Sequence, residues 1–318
     1  MSRNDAWRTF RKASLVIATI FPGLVPNVPA QAQQCKSAPL CRTGGTLLHA
    51  NGITTAKCQK EPGDPPSWPN ASAQRTDKIC RQIGACPAAG GFGKFLQSVT
   101  GNCESKQFDG YFGLDGMTFG ILDWTSDNLP TIVQAYQQRD KDAFDQLFGK
   151  LDLKFKNGCL DPDWVCKNNR QGALVCHGSF REAFAQSLKT AAFQKAQVDH
   201  ALREYETRLA RFSHLGLKTE YGNIALAVVA NNLVSKSSCR PDAWKQACAG
   251  KPNETELVRC MLERYVDNKC RGSLQGSRRR ADAINAVFAG LPESSNIHPT
   301  AEAIISCSDQ WGVSIDGG

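Results

Sequence analysis

From residue 91 onward, hydrophobic side chains recur mainly every three or four positions, the spacing that places them on one face of an α-helix. The segment 220–234 is apolar on nearly all sides, which is typical of a helix buried in a core. Ser126-Asp127 followed by Pro130 is a typical helix start. The predicted helices lie at 94–103, after Asp127, at 140–150, along the pattern from 179 to 212, and at 220–234, 254–266 and 279–290. The pattern therefore predicts a mainly α-helical domain.

The stretch from Glu104 to Asp127 interrupts this helical pattern. Four glycines between residues 110 and 120 mark turns, and the run from Thr118 to Trp124 has the character of a strand. We therefore expect one small β element within the helical domain.

Two acidic residues in this stretch suggest a catalytic chemistry. Hydrophobic residues at four-residue intervals give 94–103 an apolar face, Glu104 follows at its end, and Asp115 lies in the glycine-rich turn. Glycoside hydrolysis can use such a pair, because one acid protonates the leaving oxygen and the other activates water. Asp109 and Asp123 flank the turn and are alternatives to Asp115. A purely structural alternative is that these acids only cap or solvate the turn.

The first 32 residues resemble a secretory signal peptide. Four basic residues precede a mostly apolar run at 13–25, and Ala30-Gln31-Ala32 has the small-x-small form of a cleavage site. The apolar run is short for a membrane span and contains Pro22, so an uncleaved anchor is the weaker alternative. The sequence thus predicts a secreted protein without a membrane span in its mature chain.

The cysteines agree with export. All 14 follow residue 32, and an even number in an exported chain predicts up to seven disulfides of unknown pairing. Cys159, Cys166, Cys176 and His177 could form a metal cluster, but they lack the paired C-x-x-C spacing of zinc sites, so we expect disulfides and no metal. Residues 33–90 hold five cysteines and little periodicity, which predicts a Cys-rich N-terminal extension before a domain at 91–318.

The charge of the chain favours an anionic polymer as its environment. The formal charge of +8 falls to +5 once the signal peptide, with four basic residues and one acid, is removed. A modestly basic secreted protein suits a cell-wall surface. No basic stripe with interleaved aromatics occurs, so nucleic acid is not an expected partner, and the run Arg278-Arg279-Arg280 is typical of a solvated charge cluster.

Five stretches between residues 95 and 290 carry a resemblance to a known family. They are Glu104 with Asp115-Gly116, Thr118 and Gly120-Ile121-Leu122; Asp127 with Leu129 and Val133-Gln134-Ala135-Tyr136; Phe193-Gln194-Lys195-Ala196-Gln197-Val198-Asp199; Leu215-Gly216 with Tyr221 and Ile224; and Arg280-Ala281-Asp282 with Val287-Phe288. In this order they resemble the family 46 glycoside hydrolases, the chitosanases of the lysozyme-like superfamily. The resemblance implies a lysozyme-like, two-lobed helical domain that cleaves β-1,4 bonds of chitosan internally, with inversion, as a monomer without cofactor.

The resemblance also assigns roles to single residues. Glu104 matches the general acid, Asp115 the acid that directs the attacking water, and Thr118 the threonine that helps to hold that water. Asp127 matches a substrate-binding acid, although a helix N-cap is an equally good reading. Arg280 matches a buried arginine that supports the general acid, and Arg264 a second one in a looser alignment.

The chain departs from the family pattern at three places that matter for specificity. The arginine that usually follows the glycine-rich turn is absent, and Met117 lies near that place. The interval between Glu104 and Asp115 is short and closer to that of phage-type lysozymes. The acid expected at the start of the buried helix falls on Gly222 or Asn223. Three alternatives therefore stand beside a chitosanase: a peptidoglycan-cleaving enzyme, a non-catalytic wall-polysaccharide binder with the same fold, and a disulfide-rich interaction protein.

Overall fold

The computed structural model describes two main stretches of the chain. These are residues 77–151, apart from 102, 104–109, 114–115, 123 and 126–127, and residues 178–312, apart from 232, 292–293 and 295. It also describes residues 41–43, 46–48, 153, 155–156 and 159–160. The signal peptide and most of the predicted N-terminal extension lie outside the described residues.

The N-terminal half of the described chain contains helices and three short antiparallel sheets. In chain order the elements are β1 (Cys41–Thr43), β2 (Thr46–Leu48), α1 (Asp77–Ala85), a 3₁₀ turn (Pro87–Ala89), α2 (Gly90–Thr100), β3 (Gly110–Gly113), β4 (Gly116–Phe119), β5 (Trp124–Thr125), α3 (Leu129–Arg139), α4 (Lys141–Phe148), a 3₁₀ turn (Gly149–Leu151), β6 (Phe155–Lys156) and β7 (Cys159–Leu160). The strands pair as β1–β2, β3–β4–β5 and β6–β7.

The C-terminal half is helical. Its elements are α5 (Gly178–Ser187), α6 (Ala191–Phe212), a 3₁₀ turn (Ser213–Leu215), α7 (Glu220–Val229), a 3₁₀ turn (Ser237–Cys239), α8 (Pro241–Ala247), α9 (Glu254–Asp267), α10 (Leu274–Gly290) and α11 (Ala301–Ile305). The mainly α-helical fold predicted from periodicity is confirmed, whereas the lysozyme-like, two-lobed arrangement stays a prediction. No helix among the described residues is both long enough and apolar enough to cross a membrane.

Helix α7 lies at the centre of the core, as its all-apolar pattern predicted. Ile224, Ala225, Val228 and Val229 are fully buried, and α2, α6, α9 and α10 pack around the helix. A helix that neighbours cover on every side has no face for polar residues, which explains why its sequence shows no amphipathic stripe.

The pattern from 179 to 212 forms two helices rather than one. α5 ends at Ser187 and α6 begins at Ala191. Thr190 stands between them in an extended conformation, and its hydroxyl accepts a hydrogen bond from the Phe193 amide at 3.2 Å. A threonine in this position is a typical N-cap, which sequence periodicity alone does not reveal because the apolar spacing continues through the break.

The strand expected from Thr118 to Trp124 is in fact two strands separated by a turn. β4 ends at Phe119, Gly120 adopts a φ of +77°, and β5 begins at Trp124. A Cβ atom at residue 120 would lie 2.5 Å from the Trp124 ring and 2.7 Å from Gln197 Oε1, so only glycine fits the turn. Ile121 and Leu122 are buried because this turn inserts them into the core.

The N-terminal end of the core was missed by sequence reasoning. α1 lies in the segment 33–90, which we expected to be loop-rich, yet Ile79, Cys80 and Ile83 are fully buried against the core. With three buried hydrophobic side chains in nine residues, α1 is too short for a clear periodic signal.

Four disulfides confirm the prediction that cysteines pair in this chain. They are Cys80–Cys103, Cys86–Cys307, Cys239–Cys270 and Cys248–Cys260. The side chains of the other six cysteines, and the Cys159, Cys166, Cys176 and His177 group, lie outside the described part. Cys86–Cys307 joins residues 221 positions apart, so it connects both ends of the described domain.

Candidate functional site

The predicted acids fall outside the part of the chain that the structure describes. This applies to Glu104, Asp115 and Asp127, and therefore to the distance between Glu104 and Asp115. Thr118 is described by its backbone only, in β4, the central strand of its sheet, where it pairs with Tyr111 and Thr125. Gly113 pairs with Gly116, so Asp115 belongs to the two residues that connect β3 to β4.

Hydrogen bonds and a disulfide fix the backbone between the end of α2 and Glu104. The helix predicted to reach residue 103 ends at Thr100, because Gly101 adopts a left-handed φ of +62° and donates its N–H to the Gln97 carbonyl. The Cys103 amide then donates to the Thr100 hydroxyl at 3.1 Å. Cys103 is also held by its disulfide to Cys80 of α1, so the residue before Glu104 is fixed from two sides.

Arg280 reaches the same end of α2. Its side chain is 3% exposed, and Nη1 donates to the Val99 carbonyl at 2.9 Å. Carbonyls in the last turn of a helix lack intrahelical donors, and a cation there interacts favourably with the helix dipole. Arg280 of α10 therefore anchors the last turn of α2, five residues before Glu104 in the sequence.

The other residues assigned by resemblance are placed differently. Arg264, expected to be a second buried arginine, lies in the last turn of α9 with an exposed side chain. Asn223, where an acid was expected, is half-buried, and its amide donates to the carbonyls of Leu217 and Thr219. At Gly222 a Cβ atom would lie 2.7 Å from Glu254 Oε1, so a side chain there would displace the Glu254 carboxylate.

A buried acid does occur at the start of α7, at Glu220. The side chains of Lys94 and Glu220 form a buried ion pair between α2 and α7, with exposures of 5% and 3%. Glu220 Oε2 also accepts the Ser294 amide at 2.9 Å, and the Lys94 ammonium lies 5.1 Å from the Phe288 ring centre. A carboxylate in the first turn gains from the helix dipole. This pair therefore holds the buried helix against the helix that leads to Glu104.

A second buried polar cluster lies beneath the β element. Trp124 of β5 donates its indole N–H to Glu204 Oε1 at 3.1 Å, and Arg208 Nη2 lies 2.6 Å from Glu204 Oε2. His200 Nε2 lies 3.5 Å from Glu204 Oε1 and 3.2 Å from Asn128 Oδ1. Because both neighbours of Nε2 are acceptors, this nitrogen carries the proton. The cluster connects α6 to the strand that pairs with the Thr118 strand.

The charge state of Glu204 follows from these partners. Burial by itself would raise the pKa of the carboxyl. The hydrogen bond from His200 and the positive charge of Arg208 outweigh burial and hold the pKa below its ordinary value. Glu204 is therefore an ionised acceptor at neutral pH, suited to holding Trp124 rather than to donating a proton.

Sequence reasoning missed Lys94, Glu220, His200 and Glu204. Glu220 follows the helix-capping Thr219, and His200, Glu204 and Arg208 recur at four-residue intervals, so both patterns were visible as helix-face spacings. Neither spacing reveals which helix face is buried. Burial of that face decides whether these charged side chains are solvated or interact with each other.

The described residues contain no group of three or more histidine, cysteine and acidic side chains arranged to hold a metal ion. What they do contain is a scaffold: Arg280 and Cys103 at the approach to Glu104, and Glu204 with Trp124 beneath the strands next to Asp115. Both parts of this scaffold adjoin, in the sequence or through strand pairing, the segments that carry the predicted acids. The chain matches no protein-family model, no curated protein and no solved structure.

Proposed function

We propose that this protein is a secreted, endo-acting glycoside hydrolase that cleaves β-1,4 bonds of a chitosan-like amino-sugar polymer with inversion. The observation that supports it most is the placement of Arg280, buried at the end of α2 just before Glu104. The resemblance predicts a buried arginine in that role.

In the proposed mechanism Glu104 protonates the glycosidic oxygen while Asp115 activates a water on the opposite face of the sugar, with Thr118 helping to hold that water. Burial raises the pKa of a carboxyl, and a nearby guanidinium lowers it, so Arg280 would tune the acidity of Glu104. Inversion needs carboxyl groups about 6.5–9.5 Å apart so that the water fits between acid and sugar.

The two halves of the proposed site rest on different parts of the core. The approach to Glu104 is held by Arg280 and by the Cys80–Cys103 disulfide. The strand that carries Thr118 pairs with β5, whose Trp124 is bonded to Glu204 on α6. Catalysis requires that both carboxyl groups are held in place, because a small misplacement of a catalytic group reduces the rate strongly. Anchoring of both segments on helices would meet this requirement.

Peptidoglycan is the second candidate substrate. Chitosan is polycationic and prefers an acidic cleft, whereas the mature charge of +5 favours an anionic polymer. The non-catalytic alternative rests on Asn223, which stands where the family resemblance expects an acid. We rank chitosan first because the matching stretches are those of the chitosanase family.

The deciding experiment measures reducing-end release from chitosan, chitin and peptidoglycan. We expect release from chitosan by the wild type and a loss of at least about 100-fold in Glu104→Gln, because the variant cannot donate the proton. The matched control Glu302→Gln, on an exposed position of α11, should keep the wild-type rate.

Each other outcome has a defined meaning. Comparable rates in Glu104→Gln remove this residue from the mechanism, and release from peptidoglycan alone reverses the order of substrates. Binding without release from any polymer favours the non-catalytic alternative. Proton NMR of the first anomer formed tests inversion, since a β product from a β-linked polymer contradicts it.

A further inference from the structure

Seven basic residues surround the turn between α9 and α10, and we name this region the basic tip. They are Lys236, Arg240, Arg264, Lys269, Arg271, Arg278 and Arg279. The Cys239–Cys270 disulfide, with Cα atoms 5.4 Å apart, brings the first two next to the other five. The Val234 amide also donates to the Cys270 carbonyl at 2.9 Å, so the two segments are joined by a covalent bond and a backbone hydrogen bond.

The side chains of the basic tip have no carboxylate partner among the described residues. Six of the seven are exposed, and Arg271 is partly exposed. The Lys and Arg ion pairs found elsewhere in the described chain involve Lys94, Arg139, Lys141, Arg208 and Arg259. Exposed cations on a protein surface usually have acids of the opposite sign interspersed among them. The basic tip differs from the single exposed lysines elsewhere in the described chain because seven cations lie on two segments joined by a disulfide.

The charge of the basic tip accounts for the basicity of the whole mature chain. The segments 236–240 and 263–279 contain the seven cations and two acids, Glu263 and Asp267, which gives +5. The mature chain has the same formal charge of +5. The remaining residues of the mature chain therefore carry equal numbers of basic and acidic side chains.

Helix stability does not explain all of these cations. Arg264 and Lys269 lie at the C-terminal end of α9, where a cation stabilises the helix dipole. Arg278 and Arg279 lie in the second turn of α10, towards its N-terminal end, where a cation gains nothing from the dipole. The tip is also well fixed, since the Arg271 amide donates to the Ser277 hydroxyl at 3.0 Å.

We propose that the basic tip binds an anionic cell-envelope polymer that carries repeated phosphate groups. Arginine recognises phosphate through bidentate hydrogen bonds, and five of the seven residues are arginines. The cations are spread over two helices and two loops rather than converging on one buried point, which suits a polymer better than a single ion. The one aromatic residue of the segment 263–279, Tyr265, is fully buried, so the basic tip lacks a stacking platform for single-stranded nucleic acid.

The proposed catalytic residues Glu104, Asp115 and Thr118 are not members of the basic tip, and polymer binding by the tip requires no turnover. The tip would hold the protein on its polymer by charge while the proposed active site works on a neighbouring glycan. Polymer binding by the basic tip is therefore tested by an affinity measurement that involves no turnover.

The experiment compares two triple variants of the full mature chain that change the net charge equally. One is Lys269→Glu, Arg278→Glu and Arg279→Glu in the basic tip. The matched control is Lys78→Glu, Lys150→Glu and Lys251→Glu, at exposed positions elsewhere. Binding to poly(glycerol phosphate) is measured by calorimetry at several salt concentrations, and circular dichroism checks that each variant is folded.

We expect the wild type to bind with an affinity that falls as salt rises, because bound cations are released. The tip variant should lose at least about tenfold in affinity. Its slope of log affinity against log salt concentration should become shallower by about 2, at ~0.7 for each of the three lost phosphate contacts. The control should change less than about threefold. The milder Lys269→Gln, Arg278→Gln and Arg279→Gln variant should show the same direction if the glutamates disturb folding.

Three results would overturn the proposal. The first is an absence of wild-type binding at low salt. The second is an equal loss in the tip and control variants, which would mean that net charge alone drives binding. The third is tighter binding of a DNA duplex than of poly(glycerol phosphate) at equal charge, which would assign the surface to nucleic acid.

Discussion

At the scale of single residues, two carboxylates of this protein have hydrogen-bond partners from distant parts of the chain. Lys94 and Glu220 are 126 positions apart and pair in the core. Glu204 interacts with Trp124, which is 80 positions away. A buried charge that loses its partner costs about 3–5 kcal/mol. These contacts therefore connect elements that are far apart in the sequence.

Glu204→Gln tests the buried cluster beneath the β element. We expect the free energy of unfolding at pH 7 to fall by about 2 kcal/mol, because Arg208 loses its carboxylate in a partly exposed site. The folded pKa of Glu204 is below its unfolded value. Its stabilising effect is therefore present above the unfolded pKa and lost as pH falls through the folded pKa.

The difference between wild type and variant should thus be largest at neutral pH and shrink below about pH 4.5, the ordinary value for glutamate. Urea unfolding followed by circular dichroism at stepwise lower pH measures it. Glu302→Gln serves as the exposed control and should change stability by less than about 0.5 kcal/mol. A difference that does not vary with pH would contradict the ionised state of Glu204.

At the scale of elements, the ends of the helices matter more for the proposed site than their middles. α2 ends beside Arg280 and leads to Glu104. α7 begins at a cap in which Glu254 accepts hydrogen bonds from the amides of Lys218 and Thr219 and from the Thr219 hydroxyl. Helix ends carry unpaired backbone groups, so side chains from other elements are drawn to them.

The disulfide at the end of α2 gives a prediction at this scale. Removing it with Cys80→Ala and Cys103→Ala should lower the free energy of unfolding by about 3 kcal/mol, because the unfolded chain is no longer closed into a loop by cysteines 23 positions apart. It should also reduce chitosan turnover at least about tenfold at temperatures where the variant is folded, because Glu104 follows Cys103 directly.

The control is Cys248→Ala with Cys260→Ala, a disulfide of 12-residue separation between α8 and α9. This variant should lose a similar amount of stability by thermal unfolding while its turnover changes less than about twofold. Equal losses of turnover in the two variants would show that the Cys80–Cys103 disulfide acts on stability alone.

At the scale of the whole molecule, the prediction concerns export and oxidation. The precursor should be cleaved after Ala32, and the secreted chain should have few free thiols, because the four cysteine pairs of the described residues are disulfide-bonded, with Cα atoms 5.4–6.0 Å apart. Mass spectrometry with and without reduction measures both. An intact N-terminus, or alkylation of most cysteines without reductant, would contradict this prediction.

Much of the helical fold was predictable from the sequence, and the reason is local. The buried helix α7 follows from its apolar spacing, and the start of α3 at Leu129 follows from Pro130 in its first turn, so both signals act within a few positions. The break at Thr190 was not predicted, because the apolar spacing runs on across it. The turn at Gly120 was not predicted either, since its cause is the proximity of Trp124 and Gln197.

For the candidate site the sequence alone provided the acids, Glu104 and Asp115, and the expectation that Arg280 is buried. Only the tertiary structure placed Arg280 at the end of α2 and left Arg264 exposed on α9. It also revealed the Lys94–Glu220 pair and the basic tip. The physical reason is that helix periodicity fixes which residues share a face, whereas burial, ion pairing and disulfide pairing depend on which faces meet.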